Sequence, residues 1–266
     1  MLLLITMKKA WNVKNKKQAP NRNYRPAFAV SMEVEMNYVI SDIHGRYNLF
    51  RMMLDKIRFS NSDTMWLLGD MIDRGPDGIL LLQDIMHRKN VNPFLGNHED
   101  MFYRIIRHLG EPLPREEIEK VKADFANWIG NNGGGVTWKA YTALSEQERW
   151  ELLSFLETFR VYEEIRIGRS TFLLVHAGVG RYAPEKNPAE CSLHDLIWEE
   201  TQYNYQYYSD KYLVTGHTPT FLIDRRFANK IYMKNNHIAV DCGAVFTGTL
   251  GCICLETMQE FYVSDT

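Results

Sequence analysis

The chain has 266 residues, 45% of them apolar and 24% charged, with a formal net charge of −2. This balance excludes a disordered chain, a collagen-like repeat and a coiled coil, and leaves no whole-chain case for binding nucleic acid or a membrane. A chain this long buries about three quarters of its unfolded surface and needs no disulfide or structural metal to fold. The charge is uneven: residues 1–36 hold seven Lys/Arg against two Asp/Glu, a net of +5, and the remainder carries −7.

Met1–Met7 is apolar but far short of the ~20 residues a membrane span requires. Lys8 and Lys9 follow that run, whereas a secretory leader has its charges in front. Residues 1–35 are expected to be a poorly ordered basic extension, with Met36 a candidate start, and residues 36–266 a single domain. Cys191, Cys242, Cys252 and Cys254 form no C-x-x-C pair. They read as buried thiols in a reducing, cytoplasmic compartment.

From residue 37 the apolar pattern switches between two periods. Strands are expected over 38–40, 64–68 and 91–95, each followed by a helix, over 48–59, 79–88 and 100–109. Such a βαβαβα run implies a mostly parallel sheet with chemistry at the carboxyl ends of its strands. Residues 115–130 and 144–159 read as two helices parted by the breaker Asn131-Asn132-Gly133-Gly134-Gly135, a small helical insertion at about 111–159. Strands follow over 160–167, 171–176, 211–215, 238–241, 250–256 and 260–263, and predict a second, largely antiparallel set. The fold class is α/β.

Polar residues collect where strands end. The first ends in Ser41-Asp42-Ile43-His44-Gly45, the second in Gly69-Asp70-Met71-Ile72-Asp73-Arg74-Gly75, the third in Gly96-Asn97-His98-Glu99. Later strands end in His176-Ala177-Gly178 and Gly216-His217-Thr218. Asp42, His44, Asp70, Asn97, His176 and His217 are oxygen and nitrogen donors with no thiolate among them. That set suits Mn²⁺, Fe or Zn²⁺ better than Ca²⁺. Six donors exceed one open tetrahedral site and suit two ions sharing a bridging carboxylate.

Asp42-x-His44-Gly45, Gly69-Asp70-x-x-Asp73-Arg74-Gly75 and Gly96-Asn97-His98-Glu99, with the two later histidine motifs, resemble the signature of the PPP-type serine/threonine protein phosphatases. These are a branch of the calcineurin-like metallophosphoesterases. Gly134–Trp138 is similar to a Gly-Gly-x-x-Thr segment of bacterial members. The resemblance implies two central β-sheets flanked by helices and two divalent ions, Mn²⁺ first, with Fe or Zn²⁺ as alternatives. Asp42, His44 and His217 correspond to ligands of one ion and Asn97 and His176 to ligands of the other, with Asp70 bridging. His98 corresponds to the general acid, Asp73 to the residue that orients it, and Arg74 to a phosphate clamp. The implied reaction is direct attack on phosphorus by a hydroxide held between the ions. The implied substrate is phosphoserine or phosphothreonine in a phosphorylated protein or peptide, with no membrane or nucleic-acid partner.

A dinucleoside polyphosphate hydrolase, acting on a substrate such as diadenosine tetraphosphate, shares the metal motifs and is the alternative. Retention of Asp73-Arg74-Gly75 and Glu99 is read as favouring the protein phosphatase. One departure stands against it. Bacterial relatives often carry Trp-x-Arg after the first histidine motif, a second phosphate clamp, where this chain has Trp198-Glu199-Glu200. Two like charges ~6 Å apart at an effective dielectric near 20 repel by roughly 3 kcal/mol. Both glutamates are therefore expected to turn from the phosphate, with Arg46, Arg181 or Lys211 as substitute bases.

Overall fold

The computed structural model describes residues 35–110 and 112–265. The basic extension expected over residues 1–35 lies, save its last residue, outside the described residues. The first half runs β1 (Asn37–Ile40), α1 (Tyr47–Ile57), β2 (Thr64–Leu67), α2 (Gly78–Ile85), β3 (Val91–Pro93), α3 (Asn97–Ile106), α4 (Arg115–Asn131), α5 (Gly135–Thr142) and α6 (Glu146–Leu156). The second runs β4 (Tyr162–Ile167), β5 (Ser170–Val175), α7 (Leu193–Ile197), β6 (Tyr212–Thr215), α8 (Thr220–Ile223), β7 (Tyr232–Lys234), β8 (His237–Ala239), α9 (Ala244–Thr247), β9 (Thr249–Cys254) and β10 (Gln259–Ser264).

The described strands pair into two mixed sheets, ordered β10-β9-β1-β2-β3 and β4-β5-β6-β8-β7. β1, β2 and β3 run parallel, as the alternation of strand and helix requires. The expected antiparallel second set is corrected in two ways. β9 and β10 return to the first sheet, antiparallel to β1 and to each other. The second sheet keeps a parallel centre, β5-β6-β8, and only its edge strands β4 and β7 are antiparallel. The long excursions between β5 and β6 and between β6 and β8 allow parallel pairing. Apolar alternation reports which face of a strand is buried, not the direction of its neighbour.

Period-two alternation sorts the core. Tyr38, Ile40, Met65 and Leu67 face helices α1 and α2, where Leu49, Phe50, Met53, Leu81 and Leu82 are buried. Val39, Trp66 and Leu68 face the other way and meet Phe172, Leu174, Val214 and Ile238 of the second sheet. The two sheets thus stack on one apolar layer. The outer face of the second sheet, Leu173, Val175 and Leu213, is covered by Leu196 and Ile197 of α7 together with Tyr207 and Tyr208. The Tyr203–Tyr208 run is in large part packing.

Two local differences from expectation bear on the site. Helix α3 begins at Asn97, three residues early, because the Glu99 carboxylate accepts the Gly96 N–H at 3.1 Å and caps the first turn. The segment expected to hold two helices holds three. Gly134 lies flat on the Trp128 indole, where a Cβ would come within 2.2 Å of the ring, so the glycine run makes a tight corner and Gly135 opens α5. Trp128 is fully buried and packs on Phe102 of α3, ring centres 5.5 Å apart.

Candidate metal centre

Where β1, β2 and β6 enter the polar cluster the chain turns sharply. Asp42, His44, Asp70, Asp73, Arg74 and His217 all take left-handed backbone, with φ between 45° and 68°. Each costs about 1–2 kcal/mol for a residue with a Cβ, and hydrogen bonds hold the turns. The Asp42 N–H donates to Gly69 O at 3.1 Å, and the N–H groups of His44 and Gly45 donate to Asp70 O and Met71 O at 2.9 and 2.8 Å. The first two loops are therefore zipped together. Gly75 is needed where they touch, since a Cβ there would lie 2.1 Å from His44 O.

Donor atoms converge on two clusters. His44, Asp70 and His98 form one, and Asp70, His176 and His217 the other, with all the donor atoms of each within 4.8 Å of one another. Asp70 belongs to both. Its Oδ2 is 3.6 Å from His44 Nε2 and 3.8 Å from His98 Nε2, and its Oδ1 is 3.4 Å from His176 Nε2. Asn97 Oδ1 lies 3.0 Å from His176 Nε2 and 3.1 Å from His217 Nδ1. Asp42 stands outside both clusters: its Oδ2 accepts the His217 N–H at 2.8 Å and a short bond from the Ser41 hydroxyl. His98, expected as an acid, sits among the donors.

The histidine tautomers are settled by their backbone partners. His44 Nδ1 donates to Ile72 O at 2.9 Å and His176 Nδ1 donates to Leu68 O at 2.5 Å. Carbonyls only accept, so each Nε2 keeps its lone pair for the cluster, the usual arrangement around a bound ion. The lone pair of His44 already meets a cation, Arg74 Nη1 at 2.6 Å. The buried His98 Nε2 finds no hydrogen-bond partner among the described residues. Burial pushes the Asp42 and Asp70 carboxyls up, the latter further because Asp42 and Glu99 are close by. Burial also holds His44, His176 and His217 below the ordinary histidine range, His217 at about 3. Clustered buried carboxylates facing neutral imidazole lone pairs are costly alone and suit divalent cations, and the donor set fits oxygen- and nitrogen-loving ions.

Around the clusters lie residues that keep the rest in place. His98 Nδ1 donates to Asp73 Oδ2 at 2.6 Å. The same oxygen accepts the Trp128 indole N–H at 2.6 Å, while Thr137 donates to Oδ1 at 2.6 Å. Burial pushes Asp73 up to about 7 in spite of these donors, and keeps His98 well below its usual range. Arg74 is exposed at the mouth, its N–H bonded to Gly133 O and its guanidinium 5.2 Å from the Phe246 ring.

Several residues beside the donor clusters had no role assigned in the sequence reading. Glu99, fully buried, accepts the N–H groups of Asp70, Met71 and Ile72 at 2.8, 2.8 and 3.2 Å. Asp241, buried just past β8, has its carboxyl pushed well up by burial and by Asp42. It follows the same rule as the other motifs, a carboxylate after a strand with Gly243 close behind. Thr137 was signalled by the glycine-rich segment, Trp128 by nothing local. The candidate substitute clamps each have an acidic partner: Arg46 pairs with Asp265, Lys211 bonds to Glu164 at 2.5 Å, and Arg181, largely exposed, lies 3.9 Å from Glu199.

The family model for calcineurin-like phosphoesterases matches residues 38–244, and the chain belongs to that family of dinuclear divalent-metal hydrolases. Over 65 residues it is 46% identical to the symmetrical bis(5′-nucleosyl)-tetraphosphatase of Wigglesworthia glossinidia brevipalpis, a stretch covering 24% of each chain. Over 99 residues it is 28% identical to the enzyme of that name from Proteus mirabilis, covering 35% of this chain and 36% of the other. The chain thus spans about a quarter to a third of the length of these relatives. A crystal structure of a protein provisionally called a diadenosine tetraphosphatase superposes with a TM-score of 0.61 at 15% identity, over 87% of this chain and 94% of that one, and supports the fold. The relatives' names overturn the expected serine/threonine protein phosphatase and its phosphorylated protein or peptide substrate. The physical reason is that Glu99 and the Asp of Asp73-Arg74-Gly75, read as marks of a protein phosphatase, are buried scaffolding. They brace Asp70 and His98. No described helix is long and apolar enough to cross a membrane.

Proposed function

We propose that this chain hydrolyses dinucleoside polyphosphates, splitting a dinucleoside tetraphosphate symmetrically into two nucleoside diphosphates. The observation that carries this reading is the 46% identity over 65 residues with a symmetrical bis(5′-nucleosyl)-tetraphosphatase. The site chemistry agrees, since a phosphoanhydride presents phosphoryl oxyanions of the kind two cations clamp. His44, Asp70, Asn97, His176 and His217, with Asp42 beside them, would hold two divalent ions, Asp70 being shared; such ions would neutralise the phosphoryl oxygens and activate a water. Arg74, exposed beside His44, binds phosphate oxygens through its planar fork. The negative charge of a bound polyphosphate would favour the protonated form of His98, which would then place its Nε2 proton at the leaving oxygen, with its ring aimed by Asp73. A nucleoside diphosphate leaves far more readily than a serine alkoxide, so this substrate leans less on that proton than a phosphoprotein would.

The test is to incubate the Mn²⁺-loaded protein with diadenosine tetraphosphate and, separately, with a phosphoserine peptide, and to separate the products by chromatography. ADP as the sole nucleotide product, formed at least tenfold faster than phosphate from the peptide, is expected. Turnover of the peptide with the dinucleotide left intact would overturn the reading.

A further inference from the structure

The strip of chain from Trp198 to Thr201 runs between the two later histidine motifs. The backbone of Trp198 reaches the His217 ring. Thr201 donates to Ala177 O at 2.7 Å and packs on Gly178, where a Cβ would meet its hydroxyl at 2.5 Å. Glu200 is therefore held between two pinned neighbours, and it is exposed. It borders a cavity of about 420 Å³, lined also by Thr201, Tyr203, Asn204, Thr218, Leu222 and Ile223. This is within the ~300–1,000 Å³ of small-ligand pockets. Thr218 directly follows the candidate ligand His217, so this wall of the cavity is next to it in the chain.

The lining has the character of a nucleoside site. Thr218 is 7% exposed and its hydroxyl finds no well-aligned hydrogen-bond partner among the described residues. The Tyr203 hydroxyl lies close to those of Thr218 and Thr215, with the ring stacked on His237 at 4.7 Å. Leu222 is 67% exposed at the edge and, with Ile223, offers an apolar platform. Glu200 supplies a carboxylate. At this place a carboxylate repels phosphate, but it accepts hydrogen bonds from neutral donors such as ribose hydroxyls or an exocyclic amine.

We infer that the cavity bounded by Glu200, Tyr203, Thr218 and Leu222 binds one nucleoside of the substrate, with Glu200 accepting from its neutral O–H or N–H donors. The inference rests on the proposed function for the identity of the substrate, and it gives the Glu-for-Arg departure after Trp198 a purpose. A second phosphate clamp is replaced by a group that reads what lies beyond the phosphates.

The test separates the nucleoside's contribution from that of the phosphates. Affinities of the Mn²⁺-loaded protein for ADP and for pyrophosphate are measured by calorimetry, in the wild type, Glu200→Gln and Leu222→Asp. Both substituted residues are exposed, so folding is retained, and circular dichroism checks it. The wild type is expected to prefer ADP at least tenfold, and each variant to reduce that preference to threefold or less. 2′-Deoxy-ADP and inosine diphosphate then tell which donor Glu200 reads: the one whose loss weakens the wild type but not Glu200→Gln. A wild type with no preference for ADP, or variants that keep the full preference, would overturn the nucleoside site. If diadenosine tetraphosphate is not hydrolysed while the ADP preference and its loss are seen, the proposed function fails and the nucleoside site stands.

Discussion

The centre of the site and its rim are built differently. At the centre, Asp70, Asp73, His98, Glu99 and His176 are at most 2% exposed, and each is fixed by hydrogen bonds to backbone or to other buried side chains. At the rim, Arg74, Arg181, Glu200 and Leu222 are exposed, and such ion pairs as they make are with other surface groups. Side chains locked by packing define a reaction, because the reacting atoms must be placed within fractions of an ångström. Exposed side chains around them define which molecule reaches those atoms. The class of chemistry therefore belongs to the centre and the choice of substrate to the rim.

The largest expected effect is at the centre. Asp70→Asn removes the one carboxylate of both donor clusters. It should lower bound metal, read by atomic emission, and activity on diadenosine tetraphosphate by at least 10³-fold. Chelation of the wild type should do the same, and full activity with no metal detectable would break the comparison at its strongest point. Next is His98→Asn, which should keep metal content. An acid typically contributes about 10²–10⁴-fold where the leaving group needs its proton. The penalty should thus be large for an alkyl phosphate and smaller for p-nitrophenyl phosphate and diadenosine tetraphosphate. Equal penalties on all three would remove the acid's role from His98.

A smaller effect concerns stability. His237 is buried, bonded to the Thr215 hydroxyl at 2.8 Å, and burial alone pushes it down to about 3. Its ordinary value in the unfolded chain is near 6.5. The unfolded chain therefore takes up that proton first, so this contribution is fully present above pH 6.5 and is lost as pH falls toward 3. His237→Phe should flatten the acid limb of the urea midpoint against pH over that interval. The smallest effect is at the rim. Glu199→Gln, which loses a solvent-screened contact with Arg181, should change KM for diadenosine tetraphosphate by less than about threefold, or ~0.7 kcal/mol. A tenfold change would show that Glu199 belongs with the binding groups.

The same division governs what the sequence made legible. Each donor of the centre sits at a strand end with glycine beside it, because a sharp turn is needed to aim a side chain across the sheet edge, and such turns leave a local mark. Parallel pairing of β1, β2 and β3 followed from alternation with helices. The placement of β9 beside β1 did not, since nothing local records a pairing between residues more than two hundred apart in the chain. Trp128 reaches Asp73 from 55 residues away through the corner at Gly134, a fact of packing with no motif of its own. Substrate choice was misread because motifs report the centre. Asp73 and Glu99 are braces whatever the substrate, and the rim signal at Glu199-Glu200 was weighed as a blemish.

The hydrogen bond from the His217 N–H to Asp42 closes a loop of 175 residues, and that from His176 to Leu68 one of 108. Contacts this distant are paid for late in folding, after the local strand–helix units have formed. The first three loops can take shape within the first sheet, but both later histidines arrive only when the second sheet docks. An ion that needs both sets of donors therefore stabilises the finished fold and has little to grip in the transition state. Divalent metal should act on this protein as a brake on unfolding rather than an accelerator of folding, visible as a slower unfolding limb with the refolding limb unmoved.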